Sequence, residues 1–392
     1  MSDHVMNTYA RWPVTLVRGE GCRVWDDAGR EYLDFVSGIA VNTLGHAHPR
    51  LARAIRDQAG RMLHCSNLFR IPEQEALADR LASLSGLDRV FFCNSGAEAN
   101  EAAIKLARKY WHDRGSPRRT IITATRSFHG RTLNTLTATG QDKVKTGFDP
   151  LPPGFVHVPF GDIAAMTHAV DDDTAAVLLE PVQGEGGVHP ADAAWLRAVR
   201  KLCKDAGILL MLDEVQTGIG RTGAMFAFEH AGIRPDVLTL AKGLGGGVPI
   251  GAMLAREDAA AALGPGSHGS TFGGNPLSCR AALAVLDVIE EEGLVANARE
   301  QGARLMLGLK ALARTRPVIV DVRGAGLLVG AELAVDAAEV ITRCREAGLL
   351  LLSAGPKVLR FLPPLNVTAA EIDRALTVLA ECLPAQAKER AS

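Results

Sequence analysis

Long apolar segments are missing from this chain of 392 residues. No run approaches the roughly 18 consecutive apolar residues of a transmembrane helix. The N-terminal stretch MSDHVMNTYARWP also has no apolar core of the kind that a signal peptide carries. We therefore expect no membrane partner and no export. Hydrophobic residues at 47% and charged residues at 22% give instead the balance of an ordinary globular protein.

Closely spaced cysteine pairs are missing as well. The chain has seven cysteines, an odd number, and no two of them form a C-x-x-C motif. This pattern argues against a disulfide framework, a zinc ribbon and a dithiol redox motif. We expect a protein of the reducing cytoplasm.

The chain has no excess of charge of either sign, since Lys+Arg number 43 and Asp+Glu number 44, for a formal net charge of -1. No global electrostatic field would attract nucleic acid or an anionic membrane. The expected partners are therefore small molecules or other proteins.

Nucleotide-binding and metal-binding signatures are absent too. The glycine-rich GLGGG that follows Lys242 completes neither the Walker A pattern nor G-x-G-x-x-G, so a nucleotide-dependent dehydrogenase on a similar sheet lacks its fingerprint. His46 and His48 in GHAHP stand two positions apart without an acid beside them, and we expect no metal site there.

Six short apolar runs do occur between residues 89 and 255, and most of them lack the alternation of a half-exposed strand. Strands buried on both faces have this pattern. The stretches 97–113 and 191–207 repeat apolar residues at spacings of three and four, which predicts helices. Together they predict an α/β fold with a mostly parallel central sheet covered by helices. The runs are RVFFC (89–93), TIITAT (120–125), AAVLLEPV (175–182), ILLMLDEV (208–215), DVLTLA (236–241) and IGAMLA (250–255).

The two ends of the chain have a different pattern. After Pro276 an Ala/Leu/Glu-rich stretch predicts helix to about Arg314, followed by a smaller α+β unit. The segment 12–46 predicts strands joined by the turn DDAG, packed with that unit. We expect an N-terminal segment over residues 1–60, a large domain over residues 61–280 and a small domain over residues 281–392.

Two acids, Asp213 and Glu214, stand where the apolar run ILLML ends. Ligands of open α/β sheets gather at the carboxyl ends of the strands. A buried acid there requires a cation, either in a ligand or in a structural ion pair with a residue such as Arg221. Successive strand residues point to opposite faces, so at most one of the two acids can face a site.

Lys242 follows the run DVLTLA in the same way and precedes the glycine-rich loop. Desolvation there would lower the pKa of its amine and favour a nucleophile, whereas the alternative is an ordinary surface lysine. After RVFFC, the segment NSGAEANE opens a helix whose free N–H groups suit a phosphate, although it could be only a helix cap.

A loop SFHGRT, residues 127–132, carries three further candidates. Arg131 suits a bidentate grip on a carboxylate. Phe128 could equally belong to the core, and His129 could be a hydrogen-bonding residue rather than a catalyst. A phosphate-binding helix start, a strand-end acid, a strand-end lysine and such an arginine together describe pyridoxal phosphate chemistry.

With these residues in view, the chain resembles the fold-type I, class III (ω-) aminotransferases, and among them the acetylornithine aminotransferases. The resemblance covers nearly the whole chain and implies a large domain with a smaller one built from both chain ends. The motifs that carry it are LVRGEGCRVWDDAGREYLDFVSGIAVNTLGHAHP, FFCNSGAEANEAAIKLAR, SFHGRT, EPVQGEGGV, LDEVQTGIGRTG, LTLAKGLGGGVPIGAM, STFGGNPL and LRFLPPL.

The resemblance implies pyridoxal phosphate as cofactor, with Lys242 as the Schiff-base lysine and Asp213 facing the pyridine nitrogen. Val215, Gln216 and Phe128 would contact the ring, so the strand must lose its regularity by Val215 or Gln216. The phosphate loop would be Ser95, Gly96 and Ala97, with a hydroxyl contact missing where many relatives have threonine instead of Ala97. Thr271 would bind the phosphate of the neighbouring subunit, which implies a homodimer with shared active sites.

For substrates, the resemblance implies that Arg131 binds a carboxylate of acetylornithine and of glutamate. Arg360 would bind the α-carboxylate of glutamate, Glu185 would neutralise Arg360 in the other half-reaction, and Ser270 would touch the substrate. The implied reaction is transamination of N2-acetyl-L-ornithine with 2-oxoglutarate in arginine biosynthesis. N-succinyl-diaminopimelate, succinylornithine, ornithine or 4-aminobutyrate are alternative donors, although Ile39 departs from the tyrosine of ornithine aminotransferases. A non-catalytic homologue would have lost Lys242 or Asp213.

Overall fold

A computed structural model of the chain describes residues 4–384. Their strands form a seven-stranded sheet, two four-stranded sheets and a two-stranded ribbon. Within these residues, no helix is both long and apolar enough to cross a membrane.

The N-terminal part is an antiparallel meander followed by helices. Its tight turn depends on Asp26, whose carboxylate accepts hydrogen bonds from the backbone N–H groups of Ala28 and Arg30 at 3.1 and 2.8 Å. Its elements are β1 (Leu16–Glu20), β2 (Arg23–Asp26), β3 (Glu31–Asp34), the single turn α1 (Ser37–Ala40), α2 (Pro49–Ala59) and α3 (Pro72–Ser85). In α1, Gly38 and Ile39 have left-handed φ angles.

The large sheet contains all six predicted strands and one more, β6, which the sequence pattern missed. Its spatial order is β4-β12-β11-β10-β7-β5-β6, and only β12 runs antiparallel to its neighbours. Strands β8 and β9 pair with each other. The strands are β4 (Arg89–Cys93), β5 (Thr120–Ala124), β6 (Phe155–Val158), β7 (Thr174–Leu179), β8 (Val182–Gln183), β9 (His189–Pro190), β10 (Leu209–Asp213), β11 (Val237–Leu240) and β12 (Gly251–Ala255).

Helices cover both faces of this sheet, which explains why its strands lack alternation. In β10, Met211 packs in one apolar cluster with helix α4, and Leu210 and Leu212 pack in another with α7. The helices between the strands are α4 (Gly96–His112), α5 (Leu133–Ala138), α6 (Ile163–Ala169), α7 (Ala193–Asp205) and α8 (Glu257–Ala260). Short 3-10 turns cover Asp142–Val144, Ala227–Ala231 and Lys242–Leu244.

The C-terminal part begins with two helices, so the prediction of continuous helix from Pro276 to Arg314 was wrong in one respect. Gly293 takes a left-handed φ of 64° and separates them. The elements are α9 (Pro276–Glu291), α10 (Leu294–Thr315), β13 (Ile319–Ala325), β14 (Leu328–Leu333), α11 (Ala337–Glu346), β15 (Leu349–Leu350), β16 (Leu352–Ser353), β17 (Val358–Phe361) and α12 (Ala369–Cys382).

The two chain ends meet in one sheet. Strand β15 pairs in parallel with β3, so the sheet order is β1-β2-β3-β15, while β13, β14, β17 and β16 form the other four-stranded sheet. The expected packing of segment 12–46 with the C-terminal unit is therefore present. The domain boundaries at residues 60 and 280 stay a prediction.

Candidate active site

A cavity of about 420 Å³ lies at the carboxyl ends of β7, β10 and β11. Parallel strands bring their ends to the same edge, which is why residues far apart in the chain meet here. The predicted residues that line it are Ser95, Gly96, Ala97, Phe128, Arg131, Asp213, Val215, Gln216 and Lys242.

Asp213 lies buried at the end of β10, where three donors hold its carboxylate. One oxygen, Oδ2, accepts hydrogen bonds from Asn100 Nδ2 at 2.7 Å and from the ring nitrogen Nδ1 of His129 at 2.8 Å. The other, Oδ1, accepts the backbone N–H of Val215 at 3.0 Å. The carboxylate therefore reaches the cavity already oriented.

Arg221, the suggested structural partner of Asp213, lies elsewhere. Its Nη1 donates to the backbone carbonyls of Leu327 and Pro363, at 3.1 and 2.5 Å, and burial lowers the pKa of its guanidinium to about 9. Asp213 thus has no arginine partner among residues 4–384. This leaves its charge to be balanced by His129 or by a ligand.

Glu214 points away from the cavity, as strand alternation predicts. Its carboxylate accepts the backbone N–H groups of Ala227 and Phe228, at 2.6 and 2.8 Å, and the Thr217 hydroxyl at 3.1 Å. It caps the short 3-10 turn that begins at Ala227. Its contacts are structural.

The predicted loss of strand regularity is also confirmed. Strand β10 ends at Asp213, and a turn closed by the Gly218 N–H and the Glu214 carbonyl follows. Because of this turn, Val215 and Gln216 reach the same cavity as Asp213.

Lys242 follows β11 directly and opens a 3-10 turn with a φ of 39°, an uncommon value for a residue other than glycine. Burial lowers the pKa of its amine, while the acid Glu185 acts in the opposite direction. Its amine makes no hydrogen bond within residues 4–384. A lysine with a lowered pKa beside a cavity is suited to act as an amine nucleophile.

Glu180 also lines the cavity, and the sequence analysis did not single it out. It follows β7 directly, so the criterion that selected Asp213 and Lys242 would have found it. Burial, together with the charge of Asp213, holds the pKa of its carboxyl well above the ordinary range. Its Oε2 accepts the backbone N–H of Phe128 at 3.0 Å.

Helix α4 begins at the edge of the cavity. Ser95 caps it, with its hydroxyl accepting the Glu98 N–H at 3.2 Å. A Cβ on Gly96 would lie 2.6 Å from the Val215 side chain, so glycine is required for the helix to start this close to Val215. The free N–H groups of the first helical turn form an anion-binding end.

A second cavity of about 460 Å³ shares Phe128 and Arg131 with the first and is also lined by Glu185. The guanidinium of Arg131 is exposed and lies 5.6 Å from the centre of the Phe128 ring, and it forms no ion pair within residues 4–384. Arg131 can therefore accept a carboxylate from a ligand without first losing a partner.

Arg360, on β17, is buried and already paired. Its Nη1 donates to Glu185 Oε1 at 2.5 Å and to Gln216 Oε1 at 3.3 Å, while its Nε has no hydrogen-bonding partner in the described chain. Burial acts to raise the pKa of Glu185, but Arg360 and then Lys242 together hold it below its ordinary value. Glu185 is therefore ionised at neutral pH.

Ser270 is partly buried and Thr271 is exposed, and neither lines the cavity formed by the described residues of this chain. Ser270 lies near its edge, since its hydroxyl accepts from Asn94 Nδ2 at 3.3 Å. The structure thus brings together all the predicted site residues except this pair.

Comparison with known proteins identifies the family. The family described as Aminotransferase class-III matches residues 5–383. The chain belongs to the class III aminotransferases. An acetylornithine aminotransferase from Gloeobacter violaceus is 57% identical to this class III aminotransferase over 380 residues, which cover 96% of this chain and 95% of that protein.

Two solved structures are similar to this class III aminotransferase. An ornithine aminotransferase from Toxoplasma gondii with pyridoxal phosphate at its active site has 36% identity and a TM-score of 0.93, covering 97% of this chain and 92% of that one. An N-acetylornithine aminotransferase from Stenotrophomonas maltophilia has 41% identity and a TM-score of 0.83, covering 95% and 96%.

Class III aminotransferases depend on pyridoxal phosphate, and the residues present fit this group. The buried carboxylate of Asp213 would hold the pyridine N–H, and the start of α4 would hold the phosphate. The amine of Lys242 would take the aldehyde. The helix start that would hold the phosphate lines the cavity with three small residues, Ser95, Gly96 and Ala97, which leave room for such a group.

Proposed function

We propose that this enzyme transfers the ω-amino group of N2-acetyl-L-ornithine to 2-oxoglutarate, giving N-acetyl-L-glutamate 5-semialdehyde and L-glutamate. The reaction would be a step of arginine biosynthesis. Relatives named acetylornithine aminotransferase that are 51–57% identical support this donor. The cysteines of the described chain are free thiols, which supports a location in the reducing cytoplasm.

The observation that carries the proposal is the difference between the two substrate-facing arginines. Arg131 is exposed and unpaired in the described chain, whereas Arg360 is buried against Glu185. Acetylornithine has one carboxylate, which Arg131 can bind while Glu185 keeps Arg360 neutralised. Glutamate has two carboxylates, so it requires Arg360 as well, and Glu185 must then move aside.

Lys242 and Asp213 are the residues that would act in the chemistry at the substrate amino group. When bound, pyridoxal phosphate supplies an aldehyde that accepts the amino group and a ring that withdraws electrons. Lys242, with its lowered pKa, would be the residue that holds the aldehyde and, when its amine is free, would move a proton at the substrate carbon. Asp213 would keep the ring nitrogen protonated.

The test begins with the purified protein. We expect it to be yellow and borohydride to fix the cofactor on Lys242, as read by peptide mass, with no fixation in Lys242→Ala. A protein that binds no pyridoxal phosphate would contradict the proposal. The donor is then tested by comparing kcat/KM for acetylornithine, succinyl-diaminopimelate, succinylornithine, ornithine and 4-aminobutyrate with 2-oxoglutarate. A higher value for another donor would replace acetylornithine.

We further propose a homodimer in which Thr271 completes the neighbouring active site. Leu68, Phe69 and Phe272 expose large apolar side chains beside Thr271. Asn67 Nδ2 joins their two segments through the carbonyls of Ser270 and Gly273, at 3.1 and 2.9 Å. An exposed apolar patch of this kind supports an interface with a second copy.

The dimer is tested by light scattering and by mixing two inactive variants. Lys242→Ala lacks the amine, and Thr271→Trp would block the neighbouring site. A hybrid of the two has one fully native site, so equal mixing after dissociation should restore about one quarter of wild-type activity in a two-fold dimer. A mixture that stays inactive, or a monomer in solution, would contradict shared sites.

A further inference from the structure

We propose that Thr239 and Asn100 are positioning residues for Asp213, and the inference rests on the proposed use of pyridoxal phosphate. The Thr239 hydroxyl donates to Asn100 Oδ1 at 2.7 Å, and Asn100 Nδ2 donates to Asp213 Oδ2 at 2.7 Å. All three side chains are buried. A hydrogen-bonded series of side chains thus connects β11, α4 and the end of β10.

Sheet register places two of the three residues together. Asp213 of β10 stands opposite Thr239 of the parallel neighbour β11. Asn100 enters from the first turns of α4, which packs over β11 and β12. The three residues therefore meet because helix α4, which begins at the edge of the cavity, packs over β11 beside β10, the strand that carries Asp213.

The neighbouring hydrogen-bond acceptors and donors determine which way the Asn100 amide is oriented. Its Nδ2 faces the backbone carbonyl of His129, at 2.8 Å, and the carboxylate of Asp213, and both groups only accept hydrogen bonds. The amide oxygen must then face Thr239, whose hydroxyl donates. A flipped amide would place an oxygen against a buried carboxylate, which is unfavourable.

The series leaves Asp213 ready for one further donor. A carboxylate has about four acceptor positions, and Asn100, His129 and the Val215 N–H use three of them. The remaining position suits the ring N–H of the cofactor. Without the series, the Asp213 carboxylate could rotate, which would weaken its contact with the ring nitrogen.

A comparison of two cofactors tests this role. The probes are pyridoxal phosphate and its carba analogue, in which a ring C–H replaces the nitrogen, each titrated into the apoenzyme. We expect Asn100→Leu, which removes a hydrogen bond to a carboxylate, to weaken binding of pyridoxal phosphate about tenfold. Thr239→Val removes a hydrogen bond between neutral groups, and we expect it to weaken binding about fivefold. Binding of the analogue should change less than about twofold, because it makes no contact through the nitrogen.

The chain offers a matched control. Thr123 is buried in β5 of the same sheet, and its hydroxyl has no hydrogen-bonding partner in the described chain. Thr123→Val should bind both cofactors as the wild type does, and Thr239→Ser should restore wild-type binding because it keeps the donor.

Three outcomes separate the possibilities. Selective loss of pyridoxal phosphate binding supports the inference. If the variants lose affinity equally for both cofactors, or lose none, the inference is overturned. The proposed function would still stand in that case, provided that the wild type binds pyridoxal phosphate. If the wild type itself takes up no pyridoxal phosphate, the proposed function fails as well. The melting temperature of each apo variant separates a folding defect from a binding defect, and Asn100→Leu keeps the test decisive if Thr239→Val does not fold.

Discussion

Arg360 and Glu185 form an ion pair in which the two partners have very different freedom. The Arg360 side chain is 2% exposed and projects from β17, which is paired on both sides by β14 and β16. The Glu185 side chain is 30% exposed and lies in the turn between β8 and β9. If the pair opens for a second substrate carboxylate, as we propose, we therefore expect the acid to be the partner that moves.

Glu185→Gln should separate the two half-reactions. The substitution leaves the buried guanidinium of Arg360 without a charged partner while acetylornithine is bound. We therefore expect kcat/KM for acetylornithine to fall about tenfold or more, while kcat/KM for glutamate is unchanged or higher. Single-turnover absorbance changes of the cofactor measure each half-reaction. Glu332→Gln is the control, because it removes the charge of one of the two carboxylates that pair with Arg323, at 2.6 Å for Glu332 and 2.7 Å for Asp321. Equal losses in both halves would contradict the exchange.

Arg131→Lys should weaken both half-reactions, because one arginine is proposed to bind a carboxylate of each substrate. Lysine keeps the charge but loses the planar pair of donors, and we expect KM to rise about tenfold for both substrates. Arg118→Lys is a matched control, since its guanidinium also lies over an aromatic ring, Trp111, at 4.6 Å, but outside both cavities. An effect on only one substrate would refute the double role.

The two acids at the cavity, Glu180 and Asp213, should respond differently to conversion to amides. The raised pKa of Glu180 favours its uncharged form, which Glu180→Gln mimics, and the amide oxygen can still accept the Phe128 N–H. We expect kcat within about threefold of wild type for Glu180→Gln and a loss of about a hundredfold or more for Asp213→Asn. Comparable losses in steady-state assays would show that Glu180 acts as an anion.

Glu214→Gln should destabilise the fold without touching the cavity. The two carboxyl oxygens accept two different backbone N–H groups, and both can still accept when the group is protonated, whereas an amide would turn its NH2, which cannot accept, toward one of them. We expect a loss of about 1–3 kcal/mol in the free energy of unfolding, measured by denaturant titration of the apoenzyme. Glu229→Gln is the control, since Glu229 accepts a single N–H, from Phe226 at 2.9 Å, which an amide oxygen can still accept.

The pH dependence of the same variant follows from protonation. Burial raises the pKa of Glu214 to about 7 from an ordinary value of 4.5. The contribution of Glu214 to the free energy of unfolding is therefore largest below about pH 4.5, and it is lost as the pH rises through about 7. The melting-temperature difference between wild type and Glu214→Gln should shrink from pH 5 to pH 8. A difference that grows would show that the carboxylate is charged in the folded state.

Sequence patterns predicted the strands of the large sheet well because buried parallel strands are short, apolar and bounded by turn residues. They missed β6, Phe155–Val158, where His157 interrupts the apolar run. They also joined α9 to α10, because a single glycine, Gly293, breaks a pattern that is otherwise continuously helical. Both errors arise where one residue decides the local structure.

The sequence by itself determined that a strand-end acid and a strand-end lysine meet at the site. The carboxyl ends of parallel strands converge, so Asp213 and Lys242 were placed together by their positions after two apolar runs. Only the tertiary structure decided how those groups behave. Glu185 and Arg360 are 175 residues apart, and Asn100 and Asp213 are 113 apart. Burial raises the pKa of Glu180, and hydrogen-bond partners orient Asp213. Both come from the packing of such distant elements, and no local pattern encodes that packing.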